Sequence, residues 1–99
     1  MENSRIPNKL KKCRRITGYS QTEVAKLLGL NKTVNISRWE TGLSLPSTIH
    51  LIQLCVLYKT NPEYLYREFW KESGNKIKAL EKNLLTQQES LMSNEKYYL

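Results

Sequence analysis

The chain has a single histidine and only two cysteines among its 99 residues, and each scarcity removes a class of chemistry. His50 has no Cys, Asp or Glu companion at ligand spacing, which argues against a metal site and against general-base catalysis. Cys13 and Cys55 stand alone, with no C-x-x-C and no neighbouring histidine. Each falls on an apolar helical stripe, so buried reduced thiols are expected rather than a disulfide, and with them a cytoplasmic location. No Gly-rich phosphate loop and no nucleophile motif is present, so neither an enzyme nor a cofactor is expected. Long hydrophobic runs are missing too. The stretch around Leu51 to Tyr58 is too short to cross a bilayer, and "MENSRIPNKLKKC" lacks the apolar core of a secretory signal. Sustained period-two alternation and Asn-Gly or Asp-Gly turns are absent, which argues against strands.

Acids are the last scarcity. Sixteen Lys/Arg against nine Asp/Glu give a net charge of +7, and the excess is not evenly spread. Residues 1–42 hold nine basic and three acidic side chains, whereas residues 43–70 balance and residues 71–99 carry an excess of one. A basic N-terminal segment fits a polyanionic partner, either nucleic acid or an anionic membrane surface. A merely solvated basic face is the plain alternative.

What remains reads as helix throughout. A first helix is expected over Asn8 to Thr17, with Leu10, Cys13, Arg14 and Thr17 on one face and Gly18 as its stop. "SQTE", Ser20 to Glu23, forms a capping box for a second helix, whose apolar face is Val24, Leu27 and Leu28 and whose stop is Gly29. A third helix begins between Asn31 and Thr33, runs through Trp39 and covers about residues 32–41. After Pro46, Ser47 caps a fourth helix that is apolar on most sides and therefore expected to be central. Asn61, Pro62 and Glu63 open a fifth in the order cap, first position, first turn. "ESGN" at residues 72–75 is expected to interrupt, leaving a separate helical run in which Ile77, Leu80, Leu84, Gln87 and Leu91 are spaced three, four, three, four. The expected organisation is a domain over 5–70 and a helical extension over 71–99.

Two short helices joined by a glycine turn raise the helix-turn-helix arrangement. Ala25 is small enough for the second helix where the third crosses it. Ile36 and Trp39, three apart, anchor the third helix inward. Lys32, Thr33, Asn35 and Arg38 are then left to face outward, as insertion into a major groove requires.

The order "CRRITGYSQTEVAKLLGL", "ISRWETG", "LPS" and "LIQLCVLYKTNPEYL" resembles the Cro and phage-repressor class of helix-turn-helix proteins, the XRE family, from about Leu10 to Tyr66. The resemblance implies an all-α, five-helix DNA-binding domain, here with an additional C-terminal helix. It implies base contacts from Arg38, Thr33 and Val34, and backbone contacts from Gln21, Lys32 and Thr41. Asn35 joins the base-reading set from its outward position, and Lys12 and Arg15 join the backbone set in place of cations that "LSLPS" does not supply. Arg14 and Glu40 match the family's ion pair between first and third helices. Six residues separate Gly29 from Ile36, where the commoner pattern has five, so the extra residue falls in the turn or the first helical turn around Asn31–Thr33. "LSLPS" also lacks the basic residues that relatives aim at phosphates.

The implied function is a sequence-specific, double-stranded-DNA-binding regulator of prokaryotic or phage type, a dimeric repressor. An antitoxin or anti-regulator whose tail binds a partner protein through residues 76–92 is the alternative, and a sequence-indifferent architectural protein is a third reading. The tail seam would pack on the domain, pair with a second copy, or take a different protein. A homodimer is preferred, because one module neutralises few phosphates whereas a twofold pair reads two half-sites. Tyr97, Tyr98 and Leu99 form an apolar end of unassigned role.

Overall fold

The computed structural model describes residues 4–94, and side-chain surroundings through residue 88; Leu91 as a seam position and the Tyr97–Leu99 end lie outside what is described. Six helices and no strand occur among the described residues: α1 Leu10–Thr17, α2 Gln21–Leu27, α3 Val34–Glu40, α4 Thr48–Tyr58, α5 Pro62–Leu65 and α6 Arg67–Asn94. The chain divides into two compact units, Met1–Phe69 and Trp70–Leu99.

Local chemistry sets the helix ends of the first unit. α1 begins at Leu10 rather than Asn8, because the Asn8 carboxamide folds back instead: its Oδ1 accepts from the Leu10 N–H at 3.0 Å. Gly18, at φ 86°, closes the helix and donates its N–H to the Arg14 and Arg15 carbonyls. The capping box of α2 is complete, with Glu23 N–H donating to Ser20 Oγ at 3.0 Å and Ser20 N–H to the Glu23 carboxylate at 2.8 Å. Each half satisfies an amide that the helix start leaves without a partner. Ser47 caps α4 and Asn61 caps α5, where the Tyr64 N–H meets Asn61 Oδ1 at 2.8 Å and Pro62 takes the first turn.

The core draws on every helix of this unit. Leu10 and Cys13 come from α1, Val24, Ala25 and Leu28 from α2 and its end, Ile36 and Trp39 from α3, Leu54 and Tyr58 from α4, and Leu65 and Tyr66 from α5 and its end. Cys13 is buried and Cys55 half-buried, both as free thiols whose proton release burial makes harder. Tyr66 is pushed up to about 12 by burial, and its hydroxyl has no hydrogen-bond partner.

Three expectations are corrected. α4 is not central: Leu54 and Tyr58 are buried, but Ile49, Ile52 and Val56 stand 57–72% exposed, because its neighbours cover only one side. Leu27 of α2 is exposed for the same reason. The third concerns the break at Glu72–Asn75, which does not exist. α6 runs through Gly74 without a positive φ, and the interruption sits earlier, at Tyr66, with φ −125° and ψ 50°. A helical glycine costs only about 1 kcal/mol relative to alanine, and a helix of 28 residues absorbs it.

Candidate nucleic-acid interface

α2 and α3 meet through a six-residue turn, Leu28–Thr33. Gly29 adopts φ 74°, its N–H reaches the Lys26 carbonyl at 3.0 Å, and the Leu30 N–H reaches Ala25 at 2.8 Å. Ala25, 3% exposed, lets the third helix approach the second closely, since a larger side chain there would hold them apart. Lys32 and Thr33 belong to this turn and not to the helix, which starts at Val34 rather than about residue 32. The extra residue relative to the commoner spacing is thus taken up before the first helical position. Thr33 makes no side-chain cap.

Ile36 and Trp39 are 2% and 5% exposed, so one side of α3 is fixed inward. The Trp39 ring also lies 5.4 Å from the His50 ring, whose Nδ1 is 3.1 Å from Ser47 Oγ. Helical periodicity then dictates the other side. Val34, Arg38 and Thr41 fall one above another at four- and three-residue steps, with Asn35 beside them, and all four are exposed. Lys32 is exposed just ahead of this stripe and Thr33 is half-buried. The Thr41 hydroxyl is turned back onto the Ser37 carbonyl at 2.9 Å, leaving its oxygen free to accept.

Behind the stripe lies a polar hub. The Glu40 side chain is 3% exposed. Its carboxylate accepts from Arg14 Nε at 2.6 Å, from Arg14 Nη2 at 3.1 Å and from Gln21 Nε2 at 3.0 Å. Arg14 spends a further donor on the Tyr19 carbonyl at 3.1 Å. The hydrogen bond to Glu40 raises the Arg14 pKa above its ordinary value, so the guanidinium is held charged. Burial, and then the nearby Glu40 carboxylate, hold the Tyr58 hydroxyl protonated. One carboxylate therefore joins α1, α2 and α3. Gln21 keeps one amide hydrogen for a ligand after serving Glu40.

Lys11, Lys12 and Arg15 are exposed on α1, opposite Leu10 and Cys13. Lys9 is engaged, its Nζ standing 5.3 Å over the Tyr64 ring. Sequence reasoning missed two residues. Asn8 donates to the carbonyls of Ile6, Trp39 and Glu40 at 3.0, 3.1 and 3.3 Å, tying the N-terminal arm to the end of α3. Arg5 brings its guanidinium to 3.4 Å from the Thr41 carbonyl and adds a cation there. Asn8 reads locally as the start of the first helix, and nothing local signals Arg5.

Among the described residues no group of three or more His, Cys, Asp or Glu could hold a metal, and no helix is long and apolar enough to cross a membrane. No curated protein and no solved structure matches the chain. A helix-turn-helix family model matches residues 10–65, more than half of the chain, and spans α1 through α5. With that match and the α2-turn-α3 geometry, the chain belongs to the Cro/C1-type helix-turn-helix family, the XRE family of DNA-binding regulators.

Proposed function

We propose that the protein is a sequence-specific repressor that binds double-stranded DNA as a homodimer and reads the major groove with α3. The observation that carries this is the outward stripe of Val34, Arg38 and Thr41 with Asn35, set directly in front of the buried Ile36 and Trp39. Arg38 matches the O6 and N7 acceptors of guanine, Asn35 the donor–acceptor pair of adenine, and Val34 the methyl group of thymine. Thr33 contacts the same groove from the helix entry. Gln21, Lys32, Thr41, Lys12 and Arg15 serve phosphates, which set register and salt dependence without choosing sequence. The Arg14–Glu40 pair holds α3 in place and touches no nucleotide. Two free thiols suit a cytoplasmic regulator of prokaryotic or phage type.

Selection from random duplex DNA at several salt concentrations tests this reading. Enrichment of one roughly twofold-symmetric site is expected. Equal affinity for every duplex would make the protein architectural. The uncovered apolar face of α6 favours a second reading, a module whose tail grips a partner protein, and absence of DNA binding would select it.

A further inference from the structure

Among its described residues the second unit, taken by itself, is a single helical stretch, so none of them covers an apolar stripe on it. Yet Trp70, Ile77, Leu80 and Leu84 are 51–60% exposed along α6. Because the helix does not break at Gly74, Trp70 joins the seam seven residues before Ile77. In heptad terms Trp70, Ile77 and Leu84 are a positions, while Ser73, Leu80 and Gln87 are d positions. A β-branched Ile at a with Leu at d favours two strands over three or four.

We propose that α6 pairs with α6 of a second copy of this chain as a parallel, in-register two-stranded coil. This deepens the homodimer of the proposed function and rests on it. Charge sets the orientation. Lys76 is a g position and Glu81 the e position five residues on, which face each other between chains only when the helices run parallel and in register. In an antiparallel pair g faces g and e faces e, so Lys76 never meets Glu81. Asn83 and Gln88, the next g and e, repeat the arrangement with two amides. Gln87 is polar within the seam, and meeting its own copy lets each amide donate to the other.

Sedimentation equilibrium of the full chain without DNA tests the coil. The wild-type chain is expected to dimerise. Lys76→Glu and Glu81→Lys each turn two attractions into repulsions and should raise the dissociation constant about tenfold, with circular dichroism unchanged. The K76E/E81K double variant should return it to about the wild-type value. Ile77→Cys and Leu84→Cys should each cross-link to themselves on oxidation, above the wild-type background. Any one of three results overturns the proposal: a monomeric wild-type chain, a dimer indifferent to charge reversal, or self-linking at only one of the two cysteines. Loss of the dimer on Ile52→Asp with no effect of Lys76→Glu would move the interface to the exposed face of α4. All these readouts are made without DNA, so a failed coil leaves the site-selection result standing, and a failed selection leaves the coil.

Discussion

Glu40→Ala tests most directly how α3 is held. Its carboxylate is 3% exposed and takes three hydrogen bonds, two from Arg14 and one from Gln21. Removing it strands the Arg14 guanidinium, 13% exposed, with the Tyr19 carbonyl as its remaining partner. Breaking one side of a buried pair costs about 3–5 kcal/mol. Water reaches part of Arg14, so the lower end applies and the expected loss is about 3 kcal/mol. In a domain of this size that lowers Tm by roughly 10–25 °C. Urea unfolding followed through the buried Trp39 should show a lower midpoint with an unchanged slope. The double variant R14M/E40L removes both charges, and its stability should return to within about 1 kcal/mol of wild type, since an apolar replacement of a buried pair is often neutral. A loss below about 1 kcal/mol for Glu40→Ala refutes the hub. So does an R14M/E40L loss equal to the sum of the separate R14M and E40L losses, because coupled partners are not additive.

Arg38→Ala should weaken binding to the selected site by about 1–3 kcal/mol and relax preference at one base position. Equal weakening on all duplexes in a competition assay would make Arg38 a phosphate contact. Lys32→Ala should lower the slope of log K against log salt by about one and leave base preference intact. Tyr66 keeps its proton in the fold up to about pH 12, while an unfolded tyrosine releases it near pH 10. Between those values the unfolded chain binds fewer protons, so stability falls as pH rises, by up to about 2 kcal/mol from this residue. Tyr66→Phe should lessen that alkaline loss and, because the hydroxyl has no partner, raise stability at neutral pH by about 1 kcal/mol. Destabilisation at neutral pH would show that the hydroxyl is satisfied.

The features legible in the sequence were those decided within a few residues. The Ser20–Glu23 box, the Asn61-Pro62 start and the left-handed stops at Gly18 and Gly29 follow from local backbone needs. Ile36 and Trp39, three apart, fixed which side of α3 turns inward, and the outward stripe followed from helix geometry. Features set by distant partners were not legible. Asn8 reads as a helical residue until the carbonyls of Trp39 and Glu40 arrive beside it. α4 reads as central because its composition is apolar, but composition cannot report how many neighbours will cover it. "ESGN" reads as a break because Ser73, Gly74 and Asn75 are weak helix formers, whereas the actual break at Tyr66 carries no glycine or proline to mark it.

The two ends of α3 are held very differently, and this bears on which of the proposed base contacts can be exact. At its C-terminal end Glu40 is gripped by Arg14 and Gln21, Asn8 holds the Trp39 and Glu40 carbonyls, and the Ile6 N–H meets the Gly42 carbonyl at 2.9 Å. An added Cβ at Gly42 would press on the Ile6 backbone, 2.7 Å from its nitrogen, so the arm lies flush against that end. At the N-terminal end Thr33 supplies no side-chain cap, and the turn before it carries the extra residue. Bidentate recognition tolerates little displacement, because both hydrogen bonds must keep their length and angle at once. Arg38, in the last turn at the gripped end, therefore has the rigid footing that the proposed two-point contact with guanine needs. Thr33 and Val34 sit at the end that lacks a side-chain cap, so the contacts proposed for them are better suited to single hydrogen bonds and methyl contacts, which survive small shifts. Discrimination should accordingly be sharpest at the base pair under Arg38 and should fade toward the pairs under the helix entry.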